Sequence, residues 1–202
     1  MAFNPLTPLE TATLDHIRTF TTDELHVYVS EDGLTVLDVT INPALGGPLS
    51  LKIGTMLAAG QKVRLLHNHP SEDSLSSSDW ETLAHHHGLL EMVVVTPNGS
   101  IYRGKVDYDF QAGQLLSVVK QANAAYTTMH SMIKVPNVSM RNPSLLSDTG
   151  RLPNVFIGQR FYELGIVDFG AWFSTPDQYA IADLQHEPIR HMWSAFLRRT
   201  WP

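Results

Sequence analysis

The chain has 202 residues, of which 43% are hydrophobic and 17% are charged, and its formal net charge is −6. This balance is typical of a globular protein with one sizeable core and excludes an intrinsically disordered chain. The sequence contains no cysteine, which excludes disulfides, thiolate metal sites and a cysteine nucleophile, so any metal must be bound by His, Asp or Glu.

The charge is unevenly distributed along the chain. Residues 1–109 contain 6 Lys and Arg against 14 Asp and Glu, a net charge of −8, whereas residues 110–202 have a net charge of +2. Nucleic-acid-binding proteins usually present a basic face, so we expect no direct contact with nucleic acid. No apolar run approaches the ~18 residues of a membrane span, and the N-terminus lacks a signal-peptide pattern. We therefore expect a cytoplasmic protein that does not bind membranes.

The first third of the chain is predicted to form two helices, a hairpin and a strand. Apolar residues at helical spacing predict a short helix within residues 8–20. Alternating apolar and polar residues in 24–41, interrupted by "EDG", predict a β-hairpin. Residues 42–50 are predicted to form a loop, residues 51–61 a second helix, and residues 62–67 ("KVRLLH") a short buried strand.

Three further elements follow this strand. Residues 76–88 are predicted to form a helix with a serine N-cap and Gly88 at its C-terminal end. Residues 91–105 are predicted to form a second hairpin around "PNG", and residues 110–132 a long helix. The order hairpin, helix, strand, helix, hairpin, helix predicts an α/β sandwich with a mixed sheet.

The remaining chain has a different composition. Residues 133–154 are rich in Pro, Asn and Ser without a clear period and are predicted to form a linker or a long surface loop. Residues 155–202 are predicted to be a helical C-terminal extension of a domain that spans residues 1–132. The aromatic and arginine residues of this extension favour docking to a protein partner, with packing on the domain's own core as the alternative.

The segment "HNHPSEDSLSSSD" indicates a metal site. In extended backbone, residues i and i+2 point to the same side, so His67 and His69 can direct both imidazoles at one ion. Asp79 lies in the first turn of the following helix and can face back toward the strand end. Two histidines and one carboxylate leave a fourth position open for water, which is typical of a catalytic zinc.

Other residues can be considered as ligands. Asp73 or Glu72 can replace Asp79 as the carboxylate, since both lie between the histidines and the helix. The "HHH" tract at residues 85–87 looks like a metal-binding sequence, but consecutive helical positions point in different directions. We therefore interpret this tract as a solvated helix end.

The same segment resembles the signature of the JAMM (MPN-plus, JAB-domain) zinc metalloproteases, which reads His-x-His, six or seven residues that begin with Pro, then Ser-x-x-Asp. Six residues separate His69 from Ser76 here, as in some prokaryotic and phage-associated members. The resemblance covers about residues 20–107 and implies a JAB/MPN-like, cytidine-deaminase-like α/β sandwich. It implies Zn²⁺ bound by His67, His69 and Asp79, with Ser76 beside the oxyanion.

The family also has a glutamate on an early strand, which activates the metal-bound water. Glu24 begins the first predicted strand and is the best match to that position. Glu31 lies in the predicted hairpin turn and Glu10 in the first helix, so both are poorer candidates. His26 shares the strand face of Glu24 and either lines the cleft or packs within the strand.

The resemblance implies a zinc-dependent metallopeptidase or isopeptidase that cleaves a peptide or isopeptide bond. Its partner would be a protein or peptide substrate, such as a ubiquitin-like protein or a precursor. One alternative is a RadC-like protein associated with DNA repair, against which the acidic charge of residues 1–109 argues. The other alternative is a non-catalytic MPN scaffold, but such proteins usually lose ligands, and here every ligand position is filled.

Overall fold

A computed structural model of the chain describes residues 3–42, 49–71, 73–106, 112–133, 152–184 and 187–202, and the structural statements below refer to these residues. They form six strands and seven helices. None of these helices is long and apolar enough to span a membrane. The elements in chain order are α1 (Pro8–Ile17), β1 (Glu24–Ser30), β2 (Val36–Asn42), α2 (Leu51–Ala58), β3 (Val63–Asn68), α3 (Ser77–His85), β4 (Leu89–Val95), β5 (Ile101–Val106), α4 (Ala112–Ile133), α5 (Pro153–Glu163), β6 (Val167–Trp172), α6 (Thr175–Leu184) and α7 (Pro188–Thr200).

All six strands belong to one sheet, in the order β2-β1-β3-β4-β5-β6. β3 and β4 are parallel because α3 connects them as a crossover. The other neighbouring strands are antiparallel. The chain is therefore an α/β protein with a mixed sheet, which confirms that part of the sequence prediction.

The predicted elements of the first half are present, with one correction at α3. The helix begins with Ser76 as its N-cap, as predicted, but it ends at His85 and not at Gly88. Gly88 lies in the turn that leads to β4, where a Cβ atom would collide with the carbonyl oxygen of Gln61. The glycine is therefore explained by this close backbone approach rather than by a helix cap.

Helices cover both faces of the sheet. On one face, Leu14 and Ile17 of α1 pack against alternate residues of β1, including Val27 and Val29. Tyr28 points to the opposite face and joins the larger core, which also contains residues of α3, α4 and the C-terminal helices. This alternation is the period of two that a strand buried on both sides requires.

A network of buried charges attaches α1 to the sheet. The Arg64 guanidinium on β3 lies 2.7 Å from the Glu10 carboxylate and 3.0 Å from the Glu91 carboxylate. Arg103 of β5 pairs with the same Glu91 and donates a hydrogen bond to the carbonyl oxygen of Asn4 at 2.7 Å. Because each charge is paired, the network can be buried without an uncompensated charge.

The C-terminal region contributes a strand as well as helices. β6 pairs with β5 in antiparallel register from Val167 with Val106 to Trp172 with Ile101, and it forms one edge of the sheet. The sequence prediction of an extension made only of helices is corrected here. β6 has only six residues, and its Gly170 and Ala171 blur the apolar alternation by which strands are recognised.

This region also shares the main core of the protein. Phe161 of α5 and Trp193 of α7 are fully buried, and the Trp193 indole donates a hydrogen bond to the carbonyl oxygen of Met129 in α4 at 3.0 Å. These aromatic side chains thus pack on the protein's own core, while docking to a partner stays a prediction. The predicted boundaries at residues 132 and 154 also stay a prediction, since residues 134–151 lie outside the described residues.

We expect Trp193→Ala to destabilise the protein by ~3–5 kcal/mol, because it leaves a cavity and removes the indole bond to α4. Tyr179→Ala is the matched control, since Tyr179 is an aromatic residue of the same region that is 68% exposed. Urea unfolding followed by circular dichroism measures both variants. Equal midpoints for the two variants would contradict the shared core.

Candidate metal centre

The register of the sheet brings the first candidate residues together. β1 and β3 are antiparallel neighbours, with His26 opposite His67, so Glu24 at the start of β1 lies near the end of β3. His69 follows β3, but its N–H still donates to the carbonyl oxygen of Val95 on β4 at 3.0 Å. The backbone therefore stays extended past the strand end, and His67 and His69 point to the same side.

The N-terminus of α3 positions the carboxylate. Ser76 and Asp79 form a capping box, in which the Asp79 N–H donates to Ser76 Oγ and the Ser76 N–H donates to Asp79 Oδ2 at 2.6 Å. The Ser76 hydroxyl also donates to Asp79 Oδ2 at 2.7 Å. The next residue, Trp80, is fully buried in the core and holds this turn against the sheet. The Asp79 carboxylate is thus fixed on the side that faces the histidines.

The three predicted ligands have separations that suit one metal ion. His67 Nε2 lies 3.1 Å from His69 Nε2 and 3.4 Å from Asp79 Oδ1, and His69 Nε2 lies 3.4 Å from Asp79 Oδ2. Ligand atoms ~2.0–2.1 Å from a tetrahedral zinc are separated by ~3.4 Å. The donor atoms of these three residues are therefore at separations that a shared metal ion could bridge.

Glu24 belongs to the same cluster but lies slightly farther out. Its Oε1 atom is 3.8 Å from His67 Nε2 and 3.9 Å from His69 Nε2, and ligand atoms of all four residues lie within 4.8 Å of one another. The four residues are buried. Two histidines and two carboxylates can therefore hold a metal ion. Glu24 would either bind that ion directly or lie next to the residues that bind it.

Neighbouring hydrogen bonds orient these groups. His69 Nδ1 lies 3.0 Å from the carbonyl oxygen of Asp73, which can only accept, so Nδ1 carries a proton and Nε2 is the nitrogen that can bind a metal ion once it releases its own proton. His26 Nε2 lies 2.9 Å from Glu24 Oε1 and holds that carboxylate in place. His67 Nδ1 is buried without a hydrogen-bond partner.

The electrostatics of the cluster favour a cation. Burial by itself raises the pKa of Asp79, but His67 and His69 outweigh burial and hold its pKa well below the usual value. Burial lowers the pKa of His67, whereas for His69 the carboxylates of Asp79 and Glu24 overcome burial and raise the pKa to about 9. The field that holds a proton on His69 also favours a divalent cation in its place.

The pKa of Glu24 is lowered as well. Burial alone would raise it, but the hydrogen bond from His26 and the nearby His67 and His69 have the larger combined effect. Glu24 is therefore ionised at neutral pH and can act as a proton acceptor.

The alternative residues lie elsewhere. Glu10 pairs with Arg64 beneath α1, and Glu31 is an exposed residue that lies 3.6 Å from Lys62. Asp73 is near His69 through its carbonyl oxygen, but its carboxylate is not part of the four-residue cluster. Glu72 lies outside the described residues.

The histidine tract at residues 85–87 forms no metal cluster in the described part of the chain. His85 lies 3.8 Å from Glu81 at the exposed end of α3. This placement agrees with the interpretation of the tract as a helix end.

Three members of the cluster, Glu24, His69 and Asp79, line a cleft of about 380 Å³. Asn123 and Tyr126 of α4 and Asn154 of α5 also line this cleft. Sequence reasoning did not identify these three residues, because they follow the segment that resembles the JAMM family and carry no motif of their own.

Ser76→Ala is expected to destabilise the protein by ~0.5–2 kcal/mol, because it removes the helix cap and the hydroxyl bond to Asp79. If the protein is a hydrolase, its hydrolysis rate should fall less in Ser76→Ala than on replacement of the candidate general base, Glu24. Thermal unfolding and zinc content are measured beside Ser78→Ala, which removes the neighbouring hydroxyl 2.7 Å from Ser76 Oγ. A Ser76→Ala protein as stable as the Ser78→Ala protein would show that the cap is dispensable.

No family model, curated protein or solved structure matches this chain. The chain's own geometry shows a possible metal site, which is a buried cluster of two histidines and two carboxylates in a mixed α/β sheet.

Proposed function

We propose that this protein is a zinc-dependent hydrolase that cleaves a peptide or isopeptide bond, similar to the JAMM metalloproteases. The observation that carries the proposal is the buried cluster of His67, His69 and Asp79 at tetrahedral separations, with Glu24 beside it as part of the lining of a cleft. The His-x-His-Pro…Ser-x-x-Asp spacing adds support from the sequence.

The donor set fits zinc. Imidazole nitrogens and a carboxylate are common zinc ligands, and two histidines with one carboxylate are typical of catalytic rather than structural sites. When bound, zinc supplies Lewis acidity and lowers the pKa of a coordinated water from ~15.7 toward ~7. His67, His69 and Asp79 would hold the ion.

Glu24 would act as the general base and later as the general acid. Its carboxylate is ionised and is held by His26 at 2.9 Å, next to the metal ligands. It would accept a proton from the attacking water and then transfer that proton to the departing amine. The Glu24 Oε1 atom lies 3.8 Å from His67 Nε2 and 3.9 Å from His69 Nε2, slightly farther than the three proposed ligands lie from one another. This distance leaves space for the water molecule that gives up its proton.

Ser76 would have two roles. Its hydroxyl caps α3 and holds Asp79. Turned toward the cleft, the same hydroxyl could donate a hydrogen bond to the oxyanion that forms on the substrate carbonyl, as the family resemblance implies.

Hydrolysis of a panel of ubiquitin-like fusions and linear precursor peptides tests the proposal. We expect cleavage by the zinc-loaded protein, loss of cleavage after chelation and recovery after zinc is added back. A protein that binds one zinc per chain but cleaves no member of the panel would favour the non-catalytic scaffold instead.

A further inference from the structure

The cleft extends beyond the metal cluster to a second group of polar side chains. The group consists of Asp73, of Asn123 and Tyr126 on α4, and of Asn154 at the start of α5. We call these four residues the Asp73 subsite. Among the described residues that line the cleft, none is a lysine or an arginine.

Burial raises the pKa of the Asp73 carboxyl to about 7, because it outweighs the opposing effects of the nearby His69 and of hydrogen bonds from Tyr126 and Asn154. The Asp73 Oδ2 atom lies 3.4 Å from the Tyr126 hydroxyl, a long hydrogen bond, and its Oδ1 atom is buried without a hydrogen bond. Among the described residues, no lysine or arginine forms an ion pair with it. A buried carboxylate costs free energy unless a cation or several donors compensate for it, so a cation bound in the cleft beside Asp73 would stabilise its ionised form.

The other members of the subsite suit a long basic side chain. The Tyr126 ring stacks on His130 with an interplanar angle of 25°, which fixes an aromatic surface at the cleft wall. Such a surface can cover the aliphatic part of lysine or arginine or lie against its charged end. The amide oxygens of Asn123 and Asn154 can accept further hydrogen bonds from the same group.

We propose that the Asp73 subsite binds a basic side chain, lysine or arginine, of a peptide substrate next to the bond that is cleaved. This inference rests on the proposed function for the statement that the substrate is a peptide. An acidic side chain would instead disfavour the ionised form of Asp73, and an apolar one would not compensate its charge. The net charge of −8 on residues 1–109 adds a long-range attraction for basic peptides.

The main-chain contact of Asp73 with His69 places the subsite beside the reacting bond. The carbonyl oxygen of Asp73 accepts the hydrogen bond from His69 Nδ1 at 3.0 Å, so the residue that orients a metal ligand also carries the carboxylate of the subsite. A substrate residue bound there would be a close neighbour of the carbonyl group at the metal.

Peptide binding tests the proposal without the need for turnover. Five capped pentaalanine peptides carry arginine at each position in turn, and five matched peptides carry citrulline, which has nearly the same shape without the charge. Their dissociation constants are measured by calorimetry on the full, zinc-loaded chain with Glu24→Gln, so that cleavage does not consume the peptide. In at least one position, the arginine peptide should bind roughly ten-fold or more tightly than its citrulline counterpart.

Variants assign this preference to the subsite. Asp73→Asn should bring the ratio of the two dissociation constants close to one, and Tyr126→Leu should reduce it even if the Asp73 variant does not fold. Glu81→Gln is the matched control, because it removes one negative charge from an exposed position on α3 outside the cleft and should preserve the ratio. An arginine peptide that binds no more tightly than the citrulline peptide, or a ratio unchanged by both subsite variants, overturns the proposal.

The outcomes also separate this proposal from the proposed function. Asp73-dependent binding of arginine peptides without cleavage of any amide bond by the wild-type protein would retain the subsite and reject the hydrolase. Cleavage with the same efficiency at basic and neutral residues would retain the hydrolase and reject the subsite.

Discussion

Replacing Glu24 by glutamine should leave the fold and the zinc content unchanged and reduce the rate of hydrolysis by ~10²–10⁴-fold, the range for loss of a general acid–base. Glutamine keeps nearly the same shape and can still hydrogen-bond to His26, which lies 2.9 Å from Glu24 Oε1. It cannot accept a proton from water at neutral pH. The change therefore removes the proton transfer while it preserves the packing at the start of β1.

Zinc content, thermal unfolding and the hydrolysis rate of a cleaved substrate should be measured on the same preparations. Glu31→Gln serves as the matched control, because it makes the same chemical change at an exposed position of the chain and should not affect the rate. A Glu24→Gln protein that cleaves its substrate at nearly the wild-type rate would show that Glu24 is not the base. His26, which lies 2.9 Å from Glu24, would then be the next residue to test.

The cluster of His67, His69 and Asp79 could be predicted from the sequence because its geometry is local. His67 and His69 are two residues apart in extended backbone, which places both rings on one side regardless of the rest of the fold. Asp79 is in the first turn of α3, where the Ser76 capping box fixes its direction. Short-range spacing thus determines most of this cluster.

Glu24 is different, because it lies on another strand. Only the antiparallel pairing of β1 with β3, in which His26 is opposite His67, brings its carboxylate to the histidines. Spacing alone does not predict this pairing, and the resemblance to the JAMM family was needed to select Glu24 from three glutamates. Glu10 is excluded as the candidate base by another long-range contact, its ion pair with Arg64.

The cleft residues on α4 and α5 could not be predicted either, because long-range packing brings them to the cleft. Tyr126 lies 53 residues after Asp73 in the sequence, and the two meet only because α4 packs against α3 and the core. Asn154 is the last residue of the predicted linker, yet it is buried and lines the same cleft. The strand β6 was missed because six residues with two small side chains carry too weak an alternation.

The second large effect is expected on removal of a ligand. His67→Ala and Asp79→Ala should each lose bound zinc, and in a hydrolase they should lose activity with it. Loss of a group that only hydrogen-bonds to a metal ligand typically costs ~10–100-fold in affinity, so loss of a direct ligand should cost more. His67 is fully buried, and the methyl group of alanine at this position cannot bind an ion, so the cluster loses one of its donor atoms.

Removal of the Asp79 side chain also leaves hydrogen-bond donors at the start of α3 without their acceptor. The side chain accepts hydrogen bonds from the Ser76 N–H and hydroxyl and lies 3.4 Å from each histidine, so Asp79→Ala weakens the α3 cap as well as the metal site. Asp79→Ala should therefore lower the unfolding temperature even when zinc has been chelated. Because His67 makes no such cap, the corresponding change for His67→Ala should be smaller in the metal-free protein.

Elemental analysis of the purified proteins measures zinc per chain, with one ion expected for the wild type. His85→Ala is the matched control for loss of an imidazole, since His85 lies on the exposed end of α3 and outside the four-residue cluster. That variant should keep one zinc, because none of the cluster's donor atoms is changed. Retention of a full zinc by both His67→Ala and Asp79→Ala would mean that the ion, if present, is held elsewhere, and the buried cluster would then have to be explained without a metal.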